Sequence, residues 1–241
     1  MMTVVIKKKK NSFYLLFGII GLLAVVIGFF TTYIKPSFQG SLAIPVVVHV
    51  HAAFAFGWVF LFLLQTLTVK FRNFRLHKTL GYLGLFIALG IVATMLPTGL
   101  FQVNRDLSTG LGETAVSQIV GIATTALIFA MLVGAGFAQR KNLKVHKRLL
   151  LLATIVLLWP AWFRFRHYFP SVTRPDIWFG VVLADSFIIL SWVVDKRTYG
   201  KIHPVLFWTG LFIIGEHAVE VLAFDGIVWR QIGRAIYQNL S

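Results

Sequence analysis

The stretch "KVHKRLLLLATIVLLWPAWFRFRH", residues 144–167, decides the fold. Between its basic ends runs an apolar segment matching the ~20 residues that a membrane-spanning helix needs. Six more segments of this kind occur. The approximate limits of the seven are 12–33, 44–69, 79–97, 114–138, 148–169, 177–194 and 204–223. In lipid, every backbone polar group must find its partner within its own segment, so each segment is expected to be a helix. A barrel would instead show short strands of alternating polarity. The expected fold is therefore all-α: a seven-helix transmembrane bundle over 12–223, between a basic N-terminal segment (1–11) and a tail (224–241).

Composition points the same way. The chain is 58% apolar and 13% charged, against about 45–50% and about 25% in soluble domains. Cysteine is absent, which excludes disulfides, thiolate metal sites and cysteine nucleophiles. The net charge of +15 sits in short blocks between apolar runs, an arrangement that argues against nucleic acid as a partner. "KKKKNSFYLLFGIIGLLAVVIGFF" (7–30) has the order of a signal peptide. Its apolar run is long and no small-x-small site follows, so it reads as a retained first span.

Lysine and arginine set the expected orientation. With the N-terminus inside, the inner segments hold Lys7 to Lys10, then Lys70, Arg72, Arg75 and Lys78. Arg140, Lys141, Lys144, Lys147 and Arg148 follow, then Lys196, Arg197 and Lys201; together these are 16 of the 23. The N-terminus is expected in the cytoplasm and the C-terminus outside. Anionic lipid at the cytoplasmic face is a possible partner. In the tail, Trp229, Ile232 and Ile236 recur at helical spacing, as in an amphipathic helix lying on the outer surface.

Three inner loops end alike: "RLHK" (75–78), "KVHK" (144–147) and "KIHP" (201–204). Helices 2–3, 4–5 and 6–7 thus read as three related hairpins after a first helix. One reading of the motif is interfacial anchoring. The other brings His77, His146 and His203 together around an anionic headgroup, a haem propionate or a metal.

A second polar set falls within the apolar segments. Arg164 stands about 15 residues up its helix, or ~22 Å, inside a hydrocarbon layer of about 30 Å. Arg166 and His167 are near enough to the edge to snorkel. His51, Gln118, Asp185, Glu216, His217 and Glu220 fall at similar height. A charge at such depth costs about 2.5–3.5 kcal/mol, so these groups are expected to face inward and neutralise one another. His51, Trp58 and Gln65 form one helical stripe; His203, Gly210 and His217 form another, with Glu216 and Glu220 beside it. The expected arrangement is an Arg164–Asp185 ion pair with His51 and the helix-7 acids around it.

Several chemistries suit this set. A divalent metal wants three or four His and carboxylate ligands, which His51, Glu216, His217 and Glu220 could supply. A b-type haem wants two axial histidines, for which His51 and His217 are the candidates. A proton path wants acids and histidines in series. The expected function is metal or haem binding for redox chemistry or metalloprotein assembly. The alternative is a proton-coupled transporter or channel, and a metal-dependent lipid hydrolase is third. Helix 7 has no lysine for a retinal Schiff base, and no phosphate loop or G-x-S-x-G elbow appears.

"VHVHAAFAFGWVFLFLLQTLTVKFRNFRLHKTLGYLG" (48–84) resembles the hairpin H-x6-W-x6-Q…H-[KR]-x-L-G-[YW] of a widespread family of uncharacterised bacterial seven-helix membrane proteins. "HKRLLLLAT…R" (146–164), Asp185, Asp195 and "HP" (203–204) resemble its later landmarks. The resemblance implies the same fold, a bacterial cytoplasmic-membrane location, and shared positions at His51, Trp58, Gln65, His77, His146, Arg164, Asp185 and His203. It implies no activity. A looser similarity is to seven-helix zinc hydrolases related to alkaline ceramidases. Where those carry H-x-x-x-H on the last helix, this chain reads "EHAVE" (216–220).

Overall fold

The computed structural model describes residues 12–240. The basic segment 1–11, with Lys7 to Lys10, lies outside the described residues. Among the described residues seven helices are long and apolar enough to cross a membrane: α1 (Phe13–Phe38), α2 (Val46–Lys70), α3 (Phe74–Ser108), α4 (Glu113–Ala138), α5 (Leu143–His167), α6 (Asp176–Tyr199) and α7 (Pro204–Ala223). An eighth, α8 (Ile227–Leu240), follows a short turn. No strand occurs among the described residues.

The quoted stretch forms the centre of the bundle. α5 packs against α1, α2, α4, α6 and α7. A helix that is apolar all round belongs inside, and every residue from Leu151 to Leu158 is buried. α3 lies outside this set, against α2 and α4. α1 meets α6 through Phe17 and Phe187, whose ring centroids are 5.5 Å apart.

α3 is the element that departs most from expectation. It runs for 35 residues, straight through Pro97, or ~52 Å at 1.5 Å per residue. Its start is held by Asn73, whose side chain accepts from the Leu76 amide at 3.1 Å. Its end is extended by Gln102 and Gln118, which both donate to Asp106. These polar bonds carry the helix beyond the apolar segment by which the sequence delimits it.

Without a hydrophobic force between helices in lipid, close backbone approach matters, and small residues permit it. Gly28 of α1 rests directly on the Ala161 carbonyl of α5, and Gly21 on Leu158. Gly28→Ala is expected to push α1 from α5 at a cost of about 1–3 kcal/mol. Gly134→Ala faces open space and should cost nothing. Thermal unfolding midpoints of the two variants in detergent check this, and equal midpoints would contradict it.

The loop motif turns out to be a clasp that closes each hairpin. The Thr68 hydroxyl donates to the Gln65 carbonyl, so the His77 Nδ1–H donates to Thr68 at 3.3 Å, from the start of α3 to the end of α2. The His146 Nδ1–H donates to the Gly136 carbonyl at 2.7 Å, from α5 to α4. The His203 amide donates to Asp195 at 3.1 Å, from α7 to α6, while its Nδ1 accepts from the Val205 amide. Gly136 is a helix-end carbonyl that would otherwise lack a partner. Each histidine thus commits Nδ1 or its amide within its own hairpin, and among the described residues the three do not gather as a metal requires. The half-exposed His203 ring has its pKa lowered, first by burial and then by Arg148 nearby.

α8 lies along α4 at the end opposite the clasps. The Trp229 indole donates to the Ser117 carbonyl at 3.1 Å, and Gly233 rests on the Val116 carbonyl. In the turn before it, Asp225 accepts from Arg230, Thr114 and Ser117. The Arg230 hydrogen bonds come first in holding its carboxyl down at about 2. Trp229 and Ile236 pack on the bundle, whereas Ile232 is exposed.

Candidate functional site

The site lies between α6 and α7. α6 begins as a π-helical segment, Asp176–Leu183, and becomes α-helical at Ala184. Such bulges re-aim the residues that follow and are frequent at functional sites. Asp185 is the second residue after the change. From α7, the His217 Nδ1–H donates to Asp185 Oδ1 at 2.8 Å, and the two side chains are 2% and 6% exposed. The other ring nitrogen, Nε2, stands 3.9 Å from Glu216 Oε2, beyond hydrogen-bond reach. Glu220, one turn on, lays its carboxylate on Gly121 of α4, where any side chain would collide with it.

Two oxygens of this group have no donor. Asp185 Oδ2 and Glu216 Oε1 are both buried without a hydrogen-bond partner. An orphaned charged acceptor is among the costliest groups to bury. If the imidazole is protonated and all three carboxylates ionised, the group carries −2 within the apolar slab. Protons or a cation must offset that charge. The arrangement is therefore suited to taking up protons at defined oxygens.

The expected Arg164–Asp185 pair is not formed. Arg148 of α5 and Asp195 of α6 meet at one level. Arg164 is 16 residues beyond the first, or ~24 Å, and Asp185 is 10 residues from the second, or ~15 Å. The mismatch of about 9 Å separates them. Arg164 instead lies 4.0 Å over the Phe29 ring and donates to the Pro160 carbonyl at 2.9 Å. His51 also goes elsewhere: its Nδ1 is 2.9 Å from the hydroxyl of Thr94 on α3. Thr94 donates to the Gly90 carbonyl, so it accepts from His51. His51 and His217 thus belong to different helix interfaces, and their expected pairing as axial ligands does not form. Glu216, His217 and Glu220 do lie together, but without His51. Among the described residues, no three His, Asp or Glu side chains converge as a metal requires.

The polar stripe of α2 is split. The buried Trp58 indole donates to the Thr154 hydroxyl of α5 at 3.1 Å, tying the two helices. Gln65 lies near Gly81 of α3, its Oε1 buried and without a donor. Gln118 serves Asp106.

The buried ion pair that does form joins Arg148 of α5 to Asp195 of α6, at 2.8 and 2.6 Å. It escaped the sequence reading because Arg148 counts among the loop cations there. A signal was present: Asp195 is the only one of the eight acids near the basic loops. No protein-family model, curated protein or solved structure matches the chain.

Proposed function

We propose that the chain is a multi-pass membrane protein that takes up and releases protons at the α6–α7 site, as a proton-coupled transporter or channel does. What carries this reading is the buried His217–Asp185 hydrogen bond beside Glu216 and Glu220, with two carboxylate oxygens that lack donors. His217 is the exchangeable partner, since its neutral and cationic forms both donate from Nδ1. Glu220 against Gly121 extends the group to α4. The basic loops favour a cytoplasmic clasp end, which turns the site toward the exterior of a bacterial cytoplasmic membrane. Metal or haem binding and metal-dependent lipid hydrolysis need ligands gathered in one place, so the geometry supports them less well.

Proteoliposomes enclosing a pH-sensitive dye test this reading. Under an imposed membrane potential, the protein should admit protons faster than protein-free liposomes do. Equal rates at both potential signs and at acid and neutral pH would reject it.

A further inference from the structure

We propose a second site, for an oxyanion of the phosphate type, at Arg164 and Arg166 where α5 ends. It is separate from the acidic group and stands whether or not that group moves protons.

α5 stops being α-helical at Phe163 and closes with a 3-10 turn, Arg164–His167. The turn sets both guanidiniums over aromatic rings: Arg164 at 4.0 Å from the Phe29 centroid, Arg166 at 3.8 Å from that of Phe163. A guanidinium over a ring keeps N–H donors free. Each guanidinium carries five N–H donors. Arg164 uses one on Pro160. Among the described residues Arg166 has no hydrogen-bond acceptor, and its Nη1 is buried without a partner.

Among the described residues no carboxylate lies within ion-pair distance of either arginine; Glu216 and Glu220 stand with His217, and the other acids of this end have partners of their own. Asp106 pairs with Arg105, Asp176 with Arg174, Asp225 with Arg230 and Glu113 with Arg234. Asp185 pairs with His217. Among the described residues, Arg164 and Arg166 are the arginines of this end without a carboxylate. The charged groups that bear on Arg164 are Arg166 and Arg105, and His167 is next in the chain. The two guanidiniums therefore add their charges at one place. Arginines within membrane proteins are normally paired, both of these are part-buried, and planar forks of this kind match the oxygens of phosphate.

The height fits two sources. Arg164 lies 16 residues beyond Arg148 on α5, or ~24 Å, near the outer edge of an about 30 Å core and within snorkelling reach of the headgroups. The oxyanion could belong to a lipid headgroup or to a soluble phosphate. The full chain in neutral detergent with phosphatidylcholine can be titrated with dioleoyl phosphatidylglycerol and, separately, with inorganic phosphate, with binding read by thermal shift and native mass spectrometry. Arg166→Gln and Arg164→Gln should each weaken binding by about tenfold or more, while Arg174→Gln should not. Binding of the lipid alone assigns a headgroup, and binding of phosphate as well assigns a soluble oxyanion. If Arg164→Gln fails to fold, Arg166→Gln carries the test. The proposal is overturned if neither probe binds the native chain, or if both bind Arg166→Gln as tightly.

Discussion

Replacing either Arg148 or Asp195 by alanine should destabilise the bundle by about 3–5 kcal/mol, because each change strands the other charge in a buried site. The pair is nearly closed to solvent, at 3% and 5% side-chain exposure. Arg148 donates twice to Asp195 and once to the Lys144 carbonyl, and Asp195 also accepts from the His203 amide. The Tyr199 ring lies 5.3 Å from the guanidinium. One interaction thereby joins α5, α6 and α7. Such a pair is not in itself a gain over apolar packing, since desolvation can exceed the attraction. The double variant Arg148→Met/Asp195→Leu should therefore recover most of the loss. Unfolding midpoints in detergent decide the matter: single losses under about 1 kcal/mol would be those of a surface pair and would contradict this burial.

Asp185→Asn should reduce proton flux about a hundredfold, the lower end of what removing a positioned acid–base group does. Asparagine keeps the shape and its carbonyl still accepts from the His217 Nδ1–H, so the fold should hold to within about 1 kcal/mol. What is lost is a group that can exchange a proton at Oδ2, the oxygen without a donor. Glu220→Gln should reduce flux less, because Glu220 lies against Gly121 at the margin of the group. Flux in proteoliposomes, with the unfolding midpoint measured in parallel, separates lost proton exchange from lost structure. Native flux in Asp185→Asn would count against the site.

Much of this was legible in residue pattern. The seven apolar segments became seven long helices, since apolar length alone dictates that outcome in lipid. The repeated cation–aliphatic–histidine motif marked three real hairpins. Its role as a clasp was hidden, because the acceptors Thr68, Gly136 and Asp195 share no residue type. Glu216, His217 and Glu220 were placed together by helical spacing. Their partner was missed for a geometric reason. Taken from the Arg148–Asp195 pair, Arg164 is 16 residues up α5 and Asp185 only 10 up α6. That difference, ~9 Å, suffices to set the two side chains at different levels of the bundle. His51 was drawn into the same cluster by its stripe with Trp58 and Gln65. A stripe fixes which residues share a face but not which neighbour that face meets; here α3 takes His51 and α5 takes Trp58.

If the carboxylates beside His217 exchange protons within the membrane, their protonated form has its own carbonyl vibration. Infrared difference spectroscopy of the reconstituted protein, titrated with pH, reads this most directly. The account predicts a buried carboxylic-acid carbonyl band that grows as pH falls and is lost in Asp185→Asn. A band unchanged by that substitution, or no titrating carboxyl beyond those of the surface acids, would contradict it.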